Sequence, residues 1–192
     1  MGRGAEMLRR FVVDEGRVVG QLLMVDGFLN HRVDPPLLHA VGVELGDRFA
    51  ELRPDLVLTA EASGIPPAIT CATHLGVPMV YAKKYLGPGD RNVFSREVVS
   101  PTRGAEYRVE IARRVLGAGM RILIVDDFLA GGRTAEALGE IAEEAACTVL
   151  GFGFAIAKEF TGGRSRLEGH GWRVDALVTV ESLEGGSITL AD

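Results

Sequence analysis

The chain has 192 residues, 47% of them hydrophobic and 24% charged, which places it in the ordinary globular range and within reach of a single sizeable core. Its 21 basic and 26 acidic residues leave a net charge of −5, which works against tight nonspecific binding to nucleic acid and points to a small-molecule ligand. No apolar run approaches the roughly 20 residues that span a bilayer, and the start MGRGAEMLRRFVVDEG has no signal-peptide pattern, so no membrane partner and a cytoplasmic location are expected.

The region 10–35, with VDGFLNHRVDPP, mixes large apolar and isolated polar residues and shows no clear helical period. From Pro36 to Leu52, apolar residues at 37, 41, 45 and 49 predict an amphipathic helix, with Pro35 and Pro36 in its first turn. DLVLTA at 55–60 reads as a strand, EASGIPP as a turn, Ala68 to Leu75 as a helix and VPMVYA as a second strand. Residues 84–108 are polar and rich in Gly, Pro and Arg, and predict a long functional or mobile loop. RILIVDD at 121–127 is the strongest strand signal, an apolar run bounded by charge, as in a parallel strand buried on both faces. A Gly-Gly turn, a helix from about Thr134 to Ala146, and strands at 148–157 and 174–183 follow. This alternation predicts an α/β fold around a mostly parallel sheet, with one domain over 1–192. Cys71 and Cys147 lie far apart in apolar surroundings and read as buried small hydrophobes. The four histidines show no metal-ligand spacing. For Trp172, core packing is the stronger expectation.

The chemistry concentrates in ILIVDDFLAGGRTAEAL, residues 122–138. A buried strand delivers Asp126 and Asp127 to its carboxyl end, where open α/β sheets bind ligands and where carboxylates can accept hydrogen bonds from vicinal ribose hydroxyls. Gly131 and Gly132 then allow close backbone approach, and the following helix presents unpaired amides to a phosphate, with Thr134 expected to add a hydroxyl and cap the helix. Neither GxxxxGK[ST] nor GxGxxG is present.

The strand, paired aspartates, turn and helix closely resemble the phosphoribosyl pyrophosphate (PRPP) motif of type I phosphoribosyltransferases. That resemblance implies the family's fold, with helices flanking the sheet and a small hood formed by 10–35 and part of 158–192. It also implies that Asp126 and Asp127 grip the ribose at the reacting centre, while Ala130, Gly131, Gly132, Arg133 and Thr134 cradle the 5-phosphate. EASGIPPA resembles the family's pyrophosphate loop, here Ala62, Ser63 and Gly64, and AKK its basic pair, Lys83 and Lys84. Residues 84–108 correspond to a flap that closes over the site.

Nearly the whole chain is similar to bacterial xanthine phosphoribosyltransferases. QLLMVDGFLNHRVDP resembles their hood, which implies purine contacts from Leu23 and Asn30, and AIAKEF places Lys158 where the base is read, with Phe160 as the aromatic for stacking. An ammonium donates and cannot accept, so Lys158 complements a purine O6 and offers nothing to an adenine amino group. The turn Gly-Gly-Arg-Thr is closer to that of adenine or orotate relatives, and Ala130 stands where hypoxanthine-guanine enzymes carry an aspartate. Adenine or hypoxanthine/guanine transferases, and a noncatalytic PRPP or nucleotide sensor, therefore remain alternatives. The resemblance further implies Mg²⁺ carried by PRPP, no dedicated protein metal site, and a homodimer.

Overall fold

A computed structural model describes residues 2–85, 92–99 and 106–191. The chain opens with a helix, α1 (Arg3–Glu15), and a two-stranded hairpin, β1 (Arg17–Val19) and β2 (Leu22–Met24). Helix α2 (Pro35–Phe49) leads through a 3₁₀ turn to β3 (Leu56–Ala60), α3 (Ile65–Leu75) and β4 (Met79–Tyr85). Strands β5 (Val93–Val99) and β6 (Glu106–Ala112) precede the central strand β7 (Arg121–Leu129), α4 (Arg133–Glu144) and β8 (Thr148–Lys158). Helix α5 (Gly163–Glu168), β9 (Val174–Ser182) and β10 (Thr189–Leu190) complete the described chain.

The main sheet has the order β10-β9-β8-β7-β3-β4-β6-β5. Strands β9, β8, β7, β3 and β4 pair in parallel, and β10, β6 and β5 add antiparallel pairs at the edges. Alternation of side chains along a strand divides the core between the two faces. Val57, Leu123 and Val125 pack with α1, α2 and α3, whereas Leu58, Ile122 and Ile124 pack with α4 and the β5–β6 hairpin. All six are fully buried, each removing apolar area worth roughly 1.5–3 kcal/mol. Covering both faces of β7 explains why its sequence is an unbroken apolar run.

Two sequence readings are corrected. The N-terminal region begins in a regular helix: Leu8 and Val12, four apart, face the core with Ala5, while Phe11 packs on Phe28 at 5.3 Å between ring centroids. The apolar stripe is narrow, and what it packs on, α2 and the segment around Phe28, lies elsewhere in the sequence. The polar stretch 84–108 contains the last residues of β4 and parts of a paired hairpin, with Val98 opposite Tyr107 and Phe94 opposite Ile111. Its parts 86–91 and 100–105 lie outside the described residues. The helix read from Pro36 to Leu52 is α2, its prolines in the first turn and Asp34 capping it by accepting the Leu37 amide at 2.9 Å, and both cysteines are free and buried as expected. Trp172 packs in the core, its indole donating to Glu143 at 2.9 Å. Among the described residues no helix is long and apolar enough to cross a membrane.

Candidate active site

Neighbours diverge in the sheet between β3 and β7: β3 continues to β4 on one side and β7 to β8 on the other. Loops leaving the carboxyl ends of such a pair run apart and open a crevice, the usual ligand position of an open α/β sheet. Both loops singled out in the sequence start there, Glu61–Gly64 after β3 and Ala130–Gly132 after β7.

The two aspartates lie inside β7, before its last residue, Leu129. Being adjacent, they leave the strand in different directions. Asp127 is 4% exposed and accepts from Ser63 Oγ at 3.0 Å on one oxygen and from Asn30 Nδ2 at 3.0 Å on the other. Three predicted site residues from three separated segments thus meet in one hydrogen-bonded group. Asp126 is half-buried, accepts the Asp127 amide at 2.9 Å, and lines a cavity of about 220 Å³ with Tyr107, Phe128 and Ala130 to Thr134. Burial, reinforced by the charge of Asp127, pushes the Asp126 carboxyl well above its ordinary range, and Lys84 pulls weakly the other way.

The turn after β7 is built for an anion. Gly132 takes φ +75°, a left-handed conformation that favours glycine, and the first intrahelical bond of α4 runs from Glu136 to the Gly132 carbonyl at 2.8 Å. The amides of Arg133, Thr134 and Ala135 precede that bond and point out of the helix start. Thr134 does not cap the helix, as the sequence suggested: Gly132 occupies the cap position, and the Thr134 hydroxyl lies 2.6 Å from that of Tyr107 on β6. Arg133 is exposed and donates to the Val99 carbonyl at 3.3 Å, at the edge of the turn.

Across the crevice, Ala62 and Ser63 form the turn into α3, and the Glu61–Ala62 peptide is cis. A β-carbon on Gly64 would collide with Asp126 Oδ1 and Thr59 Oγ1, so only glycine lets this loop close against the carboxylate. Pro66 and Pro67 remove two amides from the start of α3, leaving the loop ahead of the helix as the source of donors. Glu61 fixes the loop to β4 by accepting the Lys84 amide at 2.7 Å.

The basic pair is split. Lys84 faces the crevice, with its ammonium 5.4 Å from the Tyr107 ring and acting on Asp126. Lys83 points to the opposite side, into a cavity of about 700 Å³ shared with Tyr81, Tyr85 and Arg114. Side-chain alternation in β4 leaves no other arrangement for adjacent residues.

Lys158 ends β8 beside β7, its ammonium 5.7 Å from the Phe128 ring. Burial lowers its pKa below the ordinary lysine value. Leu23 is 7% exposed within the hood cluster, and Phe160 is 47% exposed in the turn after β8. The aromatic under the Lys158 ammonium is therefore Phe128, which sequence reasoning passed over, together with Tyr107. Phe128 carried a usable signal in its place two residues beyond Asp126 on the same strand. Tyr107 did not, because its segment read as loop.

The phosphoribosyl transferase domain model matches residues 43–178 of this sequence. A xanthine phosphoribosyltransferase of Pseudomonas entomophila strain L48 is 41% identical over 189 residues, covering 97% of this chain and all of the relative. One from Laribacter hongkongensis is 40% identical, covering 95% of this chain and 98% of its own. Among solved structures, adenine phosphoribosyltransferase from Rhodothermus marinus superposes with a TM-score of 0.75 at 25% identity, covering 92% of this chain and 98% of that one. The Saccharomyces cerevisiae adenine enzyme, complexed with an iminoaltritol bisphosphate and adenine, gives 0.73 at 26%, covering 91% and 98%. The chain belongs to the phosphoribosyltransferase family, with the type I fold.

A carboxyl whose pKa is raised on folding favours the native state below its unfolded value, near 3.8, and loses that contribution as pH rises through the folded pKa. Asp126→Asn removes this cost while keeping an acceptor for the Asp127 amide. At pH 7 the variant should therefore be more stable than wild type, read as a higher Tm, and the gain should vanish near pH 3. Equal melting curves at both pH values would show that Asp126 is not strained by its surroundings.

Proposed function

We propose that this phosphoribosyltransferase converts a 6-oxopurine, with xanthine favoured, and PRPP to the nucleoside 5′-monophosphate and pyrophosphate, as in purine salvage. The observation that carries the choice of base is Lys158, a half-buried donor without acceptor capacity at the end of β8. It suits an oxygen at purine position 6 and offers an adenine amino group nothing. The xanthine-specific names of relatives aligned over nearly the full chain support the same reading. The fold likeness to adenine enzymes and the Gly-Gly-Arg-Thr turn keep adenine as the second reading.

In this mechanism a purine nitrogen attacks the anomeric carbon, the bond to pyrophosphate breaks, and positive charge builds on the ribose ring. Asp126 and Asp127 hold the ribose hydroxyls and favour that charge electrostatically. Asp127 must exchange the Ser63 and Asn30 donors for the sugar, which frees Ser63 toward the pyrophosphate and Asn30 toward the purine. The turn Ala130–Thr134 receives the 5-phosphate, and Ala62, Ser63, Gly64 and Lys84 receive the pyrophosphate. Lys83, facing away, is removed from that set in its own subunit. Mg²⁺ would arrive chelated by PRPP, as part of the substrate, and the chemistry it would supply is neutralisation of the leaving group. Leu23 supports the purine from the hood, and Phe128 replaces Phe160 as the ring beneath it. Residues 84–108 act as the flap. The enzyme is taken as a cytoplasmic homodimer, and the exposed Tyr81 and Tyr85 beside Lys83 offer a face to a second copy.

With PRPP and Mg²⁺, pyrophosphate release should be fastest per unit concentration with xanthine among xanthine, hypoxanthine, guanine and adenine; adenine leading would overturn the base assignment, and no turnover would leave a sensor. Lys158→Ala should weaken oxopurine use while calorimetric PRPP affinity stays largely intact. Because the charged donor is lost as pH rises through a pKa below 10.5, the wild-type KM for oxopurine should climb in alkali, and the variant should lack that Lys158-dependent rise. Asp127→Asn should lower kcat at least tenfold, about 1.4 kcal/mol of barrier, with folding checked by Tm. Turnover near wild type in that variant would remove Asp127 from the mechanism.

A further inference from the structure

A turn made of Ala130, Gly131 and Gly132 has almost no side chain to fix its own shape, so its geometry must come from what packs behind it. The packing comes from the start of α5. A β-carbon on Gly163 would collide with the Ala130 carbonyl oxygen and sit 2.8 Å from the Leu129 side chain, and one on Gly132 would lie 3.0 Å from the Gly163 carbonyl oxygen. The two glycine backbones are therefore in direct contact, and no other residue fits at position 163.

Arg166, one turn further along α5, adds the polar half. Its Nε donates to the Gly131 carbonyl at 2.9 Å, and its Nη1 to Glu136 Oε2 at 2.9 Å. The other oxygen of Glu136 lies 3.0 Å from His170 Nε2, while the Glu136 amide holds the Gly132 carbonyl at 2.8 Å. The Gly131 carbonyl is thus pinned by α5 and the Gly132 carbonyl by the first turn of α4. In a trans peptide the C=O and N–H point in opposite directions, so the Gly132 amide is turned away from Arg166 and the Arg133 amide out of the start of α4, in the turn that lines the cavity. We propose that Gly163 and Arg166, with Glu136 as the anchor of Arg166, are positioning residues for the PRPP 5-phosphate that shape the turn without touching the substrate.

This rests on the reading of the turn as the phosphate cradle. The neighbouring cavity of about 310 Å³ is not a second anion site, because Arg96, Arg133 and Arg166 on its wall are matched by Glu97, Glu136 and Glu140. The brace is also continuous with the base side, since Thr161 donates to the Lys158 carbonyl at 2.5 Å only a few residues before Gly163.

Arg166→Met keeps the aliphatic stem and removes the donors. It should raise the KM for PRPP about tenfold, the effect of one charge-assisted hydrogen bond, with kcat and the purine KM changed by less than about twofold, because the 5-phosphate is held equally in ground and transition states. Arg166→Lys should recover part of the loss, and Gly163→Ala should impair PRPP binding more severely. Thr134→Ala, run alongside, tests the cradle itself. A raised PRPP KM in Thr134→Ala with an unchanged one in Arg166→Met would overturn the brace alone. An unchanged value in Thr134→Ala would overturn the cradle and the brace with it. Equal rises in both substrates' KM in Arg166→Met, together with a lowered Tm, would reduce Arg166 to a structural role.

Discussion

Two carboxylates placed next to each other at the end of a buried strand are the constraint around which the rest of the site is arranged. Among the described residues neither forms an ion pair with an arginine or lysine, so the structure must accommodate two carboxyl groups in a poorly solvated crevice by other means. For Asp127 the means are two neutral donors, Ser63 and Asn30, one on each oxygen. For Asp126 the compensation is incomplete: one backbone amide and the distant charge of Lys84 oppose burial and the neighbouring carboxylate. A cationic partner would have lowered this cost and blocked the groups from a sugar. Leaving them under-compensated keeps their acceptor capacity for a ligand, a local sacrifice of stability of the kind that functional sites carry.

The sheet order makes that crevice before any side chain is considered. Because β3 and β7 are neighbours whose crossovers lead in opposite directions, their loops separate, and the chain there can offer one loop to each end of a long anionic substrate. Gly64 and Gly132 serve different needs in the two loops. The first is required by closeness to Asp126 and Thr59, the second by a left-handed turn that must also clear α5. The segment before α2 then supplies Asn30, which donates to Asp127.

Much of this was legible in the sequence where local pattern and tertiary role coincide. The apolar run of β7, its aspartates and the glycine turn are contiguous, so strand, carboxylates and turn could be read together, and α2 announced itself by spacing and proline, whereas Pro66 and Pro67 hid the first turn of α3, which starts at Ile65 and not at Ala68. The misses share a cause. The hairpin of β5 and β6 is an edge element whose face toward α4 is itself part polar, with Arg96 between Phe94 and Val98 and bonded to Glu140 and Glu144, so its composition resembled a loop. Tyr107 became invisible with it. Helix α1 lacked a recognisable start because Gly2 supplies no side-chain cap, and its amides are met instead by Glu44, which is distant in sequence.

The period of a strand explains the remaining differences between pattern and site. Asp126 with Asp127, and Lys83 with Lys84, read in a motif as doubled groups, yet adjacent residues leave a strand on opposite sides. Each doublet is better understood as two single assignments. Asp127 turns toward Ser63 in the loop that precedes α3 and toward Asn30 in the segment before α2. Asp126 lines the cavity of the Ala130–Thr134 turn, feels the charge of Lys84 and also lies against Gly64 of the loop before α3. Lys84 shares that side, and Lys83 is delivered to the outer face with Tyr81 and Tyr85, where its charge can matter only to whatever covers that surface. The same rule that buries β7 on both faces thus gives the paired carboxylates different neighbours, and different neighbours give them different roles.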